Sequence, residues 1–184
     1  PGDVFVTRHD DAVSNLFLPG FWPHAALYLG TTEELERLGI PVPAEMAEGP
    51  WFLESKKDGV RIRPAEETLQ VDALVVLRPP LESAELEEGL RRSASHAGKP
   101  YDFLFDFRTA DRLVCTEVVY RGFHGCGGVR FQLREVGGRL CLPAEEMVDQ
   151  AVASCLAMQL GEYCAEPRRL DRAALVALFR EIGR

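Results

Sequence analysis

The N-terminal half of the chain consists of short apolar runs separated by turn signals. Runs of this length, bounded by Gly, Pro and Asp and rich in β-branched and aromatic residues, are typical of strands. Lys57-Asp58-Gly59 indicates a hairpin turn between two of them, because Asp-Gly supplies the positive φ angles that a tight turn needs. The predicted strands are Asp3–Thr7, His24–Gly30, Trp51–Ser55, Val60–Arg63 and Ala73–Arg78.

Apolar residues at helical spacing, flanked by capping and stop signals, predict the helices. Asp111 is available to cap one whose apolar stripe includes Val118 and Val119, and this places Cys115 within or near its first turn. Ser83 is the expected cap of the preceding helix. The predicted helices are Thr31–Leu38, Ser83–Ala97, Asp111–Phe123, Pro143–Ala153 and a C-terminal helix that begins at Asp171.

A second hairpin is predicted around Gly137-Gly138, which separates the runs Val129–Arg134 and Arg139–Leu142. No repeat, low-complexity tract or convincing linker divides the chain. We therefore expect a single α+β domain over residues 1–184, with a small, mostly antiparallel sheet and packed helices.

The composition is that of a soluble globular protein, with 184 residues, 46% of them hydrophobic and 27% charged. Acidic residues outnumber basic ones by 29 to 21, so the net charge is -8 and the chain lacks the positive charge that binding to phosphate backbones exploits. Nucleic acids and anionic membrane surfaces are therefore disfavoured as partners. No apolar stretch approaches the roughly 20 residues that span a bilayer, so no transmembrane segment is expected.

The five cysteines form no Cys-x-x-Cys pair, which disfavours a zinc ribbon or a thioredoxin-type site. Their odd number favours reduced thiols, one of which is a candidate for reactivity, and free thiols favour a cytoplasmic location. The chain begins at Pro1 without Met or an apolar leader, as a trimmed or processed chain would, so export stays open. The oligomeric state is not predicted.

Other groups capable of chemistry lack diagnostic spacing. His9-Asp10-Asp11 and His124-Gly125-Cys126 contain metal-binding residue types, but solvated turns account for them better, so we expect no metal and no cofactor. No Gly-rich nucleotide motif or Gly-x-Ser-x-Gly motif is present. Lys56-Lys57 is interpreted as solvated charge at a hairpin tip.

Three residues form a candidate nucleophilic site. A helix start and a neighbouring imidazole both stabilise a thiolate, and Cys115 has the first by prediction. His24 at the start of a strand and Glu54 on another strand are candidates for the base and for the group that orients it. Each of the three residues also has an ordinary structural interpretation. Cys115 would be a small buried hydrophobic residue, His24 a solvated or core histidine, and Glu54 a carboxylate that faces solvent.

Several blocks of the sequence occur in a recognisable order. They are Pro1–Phe5, Pro23–Gly30, Phe52–Ser55 with Gly59-Val60 following, Lys99–Asp106 and Leu113–Tyr120. Together they resemble the circularly permuted papain-like amidases, the YiiX-type branch of the NlpC superfamily, which is related to lecithin retinol acyltransferase. In that family the His-bearing strand precedes the Cys-bearing helix, as His24 precedes Cys115 here. The resemblance covers roughly the first two-thirds of the chain, and the part from about residue 124 onward is unassigned.

The resemblance implies a permuted papain-like (NlpC-type) fold with Cys115 as nucleophile, His24 as general base and Glu54 as the orienting residue. Asp102 and Asp106 are the next candidates for the third role. Glu117 belongs to the Cys-Thr-Glu motif as a structural neighbour of the nucleophile.

Aromatic residues are candidates for the substrate-binding surface. Tyr101 matches a site tyrosine that lines the cleft or supports the oxyanion, and Phe21 and Trp22 are cleft candidates, with Trp22 favoured as a wall. For Phe103 and Phe105 we favour the core, because alternating aromatics most often pack inward.

The function expected is that of a cysteine-dependent amidase or peptidase acting through a thioacyl-enzyme on a small peptide, amide or lipid-linked substrate. One alternative is an acyltransferase or lipid-ester hydrolase on the same fold. A second is a catalytically inactive scaffold that binds lipid or peptide. Fold alone does not choose among them.

Overall fold

The computed structural model describes residues 1–9, 20–42 and 49–158, without the side chains of 155–158. Its strands are β1 (Val4–Arg8), β2 (His24–Gly30), β3 (Trp51–Lys56), β4 (Gly59–Pro64), β5 (Ala73–Leu77), β6 (Arg134–Val136) and β7 (Arg139–Cys141). Its helices are α1 (Thr32–Leu38), α2 (Ala65–Thr68), α3 (Ser83–Ala94), α4 (Cys115–Phe123) and α5 (Ala144–Met158).

The first five strands form one sheet in the order β4-β3-β2-β1-β5, and every neighbouring pair is antiparallel. The hairpin predicted at Asp58-Gly59 joins β3 to β4, and Gly59 has the positive φ of +96° that such a turn requires. Strands β6 and β7 form a separate hairpin around Gly137 and Gly138. The structure is thus α+β with a small antiparallel sheet, as predicted.

The central strand β2 is buried on both faces, which explains its nearly continuous apolar sequence. Successive side chains alternate between two clusters of the core. Ala25 and Leu27 belong to the larger cluster, which includes the apolar side of α4, whereas Ala26 and Tyr28 belong to a smaller cluster on the other face. His24 is in phase with Ala26 and Tyr28.

Helix α4 is held against α3 by close backbone contact. A Cβ atom on Gly122 would lie 1.8 Å from Ser93 Oγ, and one on Gly89 would lie 2.4 Å from Phe123, so neither position has room for a side chain. Small residues on both helices therefore allow α4 to pack closely against α3.

The predicted start of α4 at Asp111 is wrong, because residues 111–114 are not helical and the helix begins at Cys115. The backbone of Leu113 is already paired: its N–H donates to Pro100 O and its carbonyl accepts from Asp102 N–H. Val114 is extended and forms the N-cap. Cys115 is therefore the first helical residue.

Smaller differences have local causes. Glu82 rather than Ser83 caps α3, because it shares a capping box with Glu85. The short helix α2 was not predicted. The strand predicted over Val129–Arg134 is wrong except at its last residue, because β6 runs from Arg134 to Val136, and α5 extends beyond the predicted end at Ala153. The helix predicted from Asp171 lies outside the described residues.

Candidate active site

His24 and Glu54 meet across two neighbouring strands. Strands β2 and β3 pair Leu27 with Leu53 and Tyr28 with Phe52. Continuing this register puts Glu54 diagonal to His24 on the same face of the sheet, within reach of long side chains. His24 Nε2 donates to Glu54 Oε2 at 2.7 Å, which leaves Nδ1 as the ring nitrogen available to a third group.

Glu54 is a fully buried carboxylate, with 0% of its side chain exposed. Burial would raise its pKa, but the hydrogen bond and charge of His24 and the nearby Lys56 ammonium lower the pKa below its ordinary value. The hydroxyl of Thr68 on α2 also donates to Glu54 Oε1, at 3.3 Å. Glu54 is therefore held ionised and in place.

Cys115 occupies the first position of α4, where the helix N-terminus favours a negative charge. The hydroxyl of Ser55 on β3 donates to Leu113 O at 2.7 Å and ties the segment before α4 to the sheet beside Glu54. Backbone N–H groups of Ala25 and Thr116 donate to the Cys115 sulfur. The thiol is thus positioned by the sheet and by its own helix.

Cys115 and His24 form a hydrogen bond and shift each other's acidity. Burial would raise the pKa of the Cys115 thiol, but the charge and hydrogen bond of His24 bring the pKa below its ordinary value. For His24, burial would lower the pKa, but Cys115 and Glu54 together raise it to about 10. The arrangement favours a thiolate–imidazolium pair at neutral pH.

Tyr101 lies beside the segment that leads into α4, because it forms an isolated parallel bridge with Leu113. Burial and the charges of Cys115 and Asp102 raise the pKa of the Tyr101 hydroxyl, so the group stays protonated and can donate. Its ring packs edge-on against Phe103 and Phe105, with centroids 4.9 and 6.0 Å away. The structure therefore places a neutral hydroxyl within the electrostatic reach of Cys115.

The two aromatic residues that precede His24 differ in their exposure to solvent. Trp22 is 5% exposed and belongs to the core, whereas Phe21 is 51% exposed and presents its ring to solvent. The two rings are in edge-to-face contact, with centroids 4.8 Å apart. Arg8 lies over the Phe21 ring, 4.7 Å from its centroid. Phe21 therefore exposes its aromatic ring to solvent, whereas Trp22 does not.

The preference for a core position is wrong for Phe103, which is 65% exposed. Phe105 is partly buried against the core. The alternation expected of a strand does not apply here, because the Asp102 carboxylate accepts the N–H groups of Leu104 and Asp106 and folds the segment into a turn. Phe105 adopts a φ of 56° within that turn.

Asp102 and Asp106, the other candidates for the residue that orients His24, have different hydrogen-bond partners. Asp102 caps the turn just described, and Asp106 accepts from the backbone of Arg108. Glu117 is fully buried on α4 and pairs with Arg121 at 2.6 Å. Burial, with the Asp102 carboxylate nearby, raises the pKa of Glu117 to about 7.

Sequence reasoning missed two residues that contact Glu54. Lys56 Nζ and Arg63 Nε lie 2.6 and 3.2 Å from Glu54 Oε1. Lys56 was interpreted as solvated charge, and Arg63 was assigned no role. The available signal was the alternation along β3, which places Lys56 on the same face as Glu54.

Among the described residues, no three His, Cys, Asp or Glu side chains are placed together as metal ligands would have to be. In the same part of the chain, no helix is both long and apolar enough to cross a bilayer.

Comparisons with known proteins identify the fold and the family of the chain. The crystal structure of the metalloprotein yiiX from Escherichia coli O157:H7 has the same fold, with a TM-score of 0.56 and 18% sequence identity over 95% of this chain and 90% of that chain. No curated protein matches the chain significantly. Residues 1–162 match the model of the family described as permuted papain-like amidase enzyme, YaeF/YiiX, C92 family. The chain belongs to this family of permuted papain-like amidases.

Proposed function

We propose that this protein is a cysteine-dependent amidase or peptidase that acts through a thioacyl-enzyme. Cys115 is the nucleophile, His24 is the general acid and base, and Glu54 orients His24. The observation that carries the proposal is the coupled pair: the pKa of Cys115 is lowered by His24, and His24 in turn donates to a fully buried Glu54 at 2.7 Å.

In the first half-reaction, the Cys115 thiolate attacks a carbonyl carbon and forms a C–S bond while the carbonyl oxygen becomes an oxyanion. The N–H of Cys115 at the start of α4 and the Tyr101 hydroxyl are the proposed oxyanion donors. The oxyanion then collapses, the bond to the leaving amine breaks, and the His24 imidazolium gives its proton to that amine.

In the second half-reaction, neutral His24 takes a proton from water, and the resulting hydroxide attacks the thioester carbonyl. Collapse of this second tetrahedral intermediate breaks the C–S bond and releases the carboxylic acid. Cys115 leaves as a thiolate beside the imidazolium, which restores the starting state.

The proposed substrate carries an apolar group next to its amide or ester carbonyl, as a peptide or a lipid-linked compound does. Two large hydrophobic side chains close in sequence to His24 and Tyr101 are exposed, namely Phe21 and Phe103. The ring of Phe21 packs against that of Trp22. Exposed aromatic surface beside a polar site is typical of ligand binding.

The test is alkylation by iodoacetamide, followed for each cysteine by mass spectrometry as a function of pH. Cys126 is an internal control, since it is 7% exposed like Cys115 but has Arg92 rather than an imidazole beside its sulfur, at 3.2 Å. We expect Cys115 to react about 100-fold faster than Cys126 near pH 6, because His24 lowers the pKa of the Cys115 thiol and the thiolate is the reactive form. His24→Ala should abolish this difference, because the thiolate loses its counter-ion.

Equal rates for Cys115 and Cys126 near pH 6 would contradict the proposal and favour the scaffold that binds without catalysis. If Cys115 is reactive, incubation of the thioacyl-enzyme with water alone or with added amines and alcohols distinguishes a hydrolase from an acyltransferase. Transfer to an added acceptor in preference to water would favour the acyltransferase.

A further inference from the structure

Two cations lie behind the proposed triad, on the side of Glu54 that faces away from His24. His24 takes Oε2 of the carboxylate, whereas Lys56 Nζ and Arg63 Nε lie 2.6 and 3.2 Å from Oε1. The two carboxylate oxygens of Glu54 therefore have different partners. Oε2 accepts from the imidazole of His24, and Oε1 lies beside the two cations. From Cys115 to Arg63 the charges alternate in sign.

Arg63 is the fixed member of this cation pair. Its side chain is 11% exposed, compared with 39% for Lys56. Its Nη2 donates to both oxygens of Asp58, at 2.6 and 2.8 Å, and its Nη1 donates to Glu67 at 2.7 Å. These contacts anchor the guanidinium from the hairpin turn and from α2, so its position beside Glu54 does not depend on Glu54 itself.

We propose that Arg63 and Lys56 together are positioning residues that keep Glu54 ionised and directed at His24. The proposal rests on the proposed function of the triad. A carboxylate with no exposure to water would otherwise take up a proton, and a protonated Glu54 would no longer stabilise an imidazolium. A guanidinium suits this role because it stays charged at every pH at which the protein is folded.

The charged groups around Glu54 determine whether its pKa rises or falls when one of them is removed. His24 faces it from β2, Lys56 from β3 and Arg63 from β4, while α2 contributes the hydroxyl of Thr68. Asp58 and Glu67 contact Arg63 on its far side. Removing a positive charge from this set raises the pKa of every neighbouring acid, including those of Glu54 and Cys115.

The experiment is the pH profile of Cys115 alkylation by iodoacetamide in Arg63→Met. We expect the acidic limb of this profile to move to higher pH by about one unit, because losing the positive charge beside Glu54 weakens the support of the His24 imidazolium and so raises the pKa of the Cys115 thiol. Arg63→Lys keeps the charge and should restore most of the wild-type profile. A purely structural role would lower the unfolding temperature without moving the limb.

Arg61→Met is the matched control. It removes the same charge from the same strand. Arg61 lies directly opposite Glu54 in the register of β3 and β4, but its side chain is 57% exposed and pairs with Asp58 at 2.9 Å instead. Water screens a charge in that position, so we expect its profile to stay within about 0.3 units of the wild type.

Lys56→Met keeps the proposal testable if Arg63→Met does not fold, and should move the limb in the same direction by about half a unit. An unmoved limb in Arg63→Met, or in Lys56→Met where Arg63→Met is unfolded, would overturn the positioning role. A wild-type protein without enhanced Cys115 reactivity would instead overturn the proposed function, so the two failures are distinguishable.

Discussion

We expect Tyr101 to act on the oxyanion rather than on the thiol. Its hydroxyl stays protonated because burial and the charges of Cys115 and Asp102 raise its pKa. An oxyanion develops only when the sulfur attacks a carbonyl, and not when it displaces iodide from iodoacetamide. The two reactions therefore separate oxyanion stabilisation from nucleophile reactivity.

Tyr101→Phe should slow acylation of Cys115 by p-nitrophenyl acetate by about 10- to 100-fold, since loss of one oxyanion donor has an effect of this order or larger. Alkylation by iodoacetamide should be unchanged. Release of p-nitrophenol in the first turnover measures the first rate, and mass spectrometry measures the second. Equal slowing of both reactions would argue that Tyr101 supports the packing around Cys115 instead.

Individual residues differed in how far the sequence could assign them. Cys115, His24 and Glu54 were identifiable as candidates because each belongs to a block of recognisable sequence. Arg63 was not, because its importance depends on a contact across β3 and β4 that is set by register. A lone arginine on a strand gives no sign of which carboxylate it faces.

The start of helix α4 combines the nucleophile with a buried acid. Glu117 is the third residue of the helix and accepts the N–H of Val114, while Arg121 donates to Glu117 and to the carbonyls of Phe107 and Thr109. One oxygen of Glu117 is buried without a hydrogen-bond partner among the described residues. The helix start is thus fixed by a carboxylate that is costly to ionise.

Glu117→Gln should change how stability depends on pH. The pKa of Glu117 is raised from 4.5 to about 7 in the folded state, so the stability it contributes is fully present below pH 4.5 and is lost as pH rises through about 7. At about 1.36 kcal/mol per pKa unit, the free energy of unfolding of the wild type should fall by roughly 3 kcal/mol relative to the variant over this range. Urea denaturation at several pH values measures the difference.

Glu85→Gln is the control for this effect. Glu85 occupies the corresponding third position of α3, where its carboxylate accepts the N–H of Glu82 in a partly exposed setting. If the difference in free energy of unfolding between the wild type and Glu117→Gln did not vary with pH, the result would contradict a raised pKa of Glu117.

Helices and strands were predicted more reliably at their centres than at their ends. The run His24–Gly30 is predicted with its observed bounds, because a buried central strand has a continuous apolar sequence. The start of α4 was misplaced because the signal at Asp111 is local, whereas Leu113 is held extended by Pro100 and Asp102. Tertiary contacts of this kind are not visible in propensity.

The C-terminal part of the described chain reaches back to the proposed cleft. The Glu145 carboxylate on α5 accepts the N–H groups of Phe21 and Trp22, at 2.7 and 3.0 Å. Arg8 donates to the carbonyl of Phe21 from β1. The exposed aromatic ring is thus held between the sheet and a helix more than a hundred residues away in sequence.

Glu145→Ala should lower the free energy of unfolding by about 1 to 2 kcal/mol, because two N–H groups lose a charged acceptor. It should leave the pH profile of Cys115 alkylation unchanged, since the hydrogen-bond partners of Glu145 among the described residues are Phe21 and Trp22 rather than Cys115 or His24. Trp22 should become more accessible to acrylamide, measured by fluorescence in a Trp51→Phe background.

Two variants control this prediction. Glu145→Gln keeps an oxygen acceptor and should retain most of the stability. Glu146→Ala removes the neighbouring acid, which pairs with Arg134 instead, and should leave Trp22 protected. Increased quenching of Trp22 in Glu146→Ala as well would indicate general loosening of α5.

The arrangement of the whole molecule followed from the sequence only in part. The α+β class and the permuted papain-like fold were identifiable from the order of the sequence blocks. The pairing of β1 with both β2 and β5, and the contact of α5 with Phe21, were not. These contacts join residues far apart in the chain, and no local pattern encodes which distant partner is chosen.

The order of the triad along the chain has a consequence for synthesis on the ribosome. The sheet that carries His24 and Glu54 is complete by Leu77, whereas Cys115 lies on a later helix. Chains emerge N-terminus first and can begin to fold as they do so. The acid–base half of the site can therefore form while the thiol is still an ordinary one, and the reactive ion pair arises only when α4 docks. A nascent chain assembled in this order would gain the proposed reactive pair only after its sheet is in place.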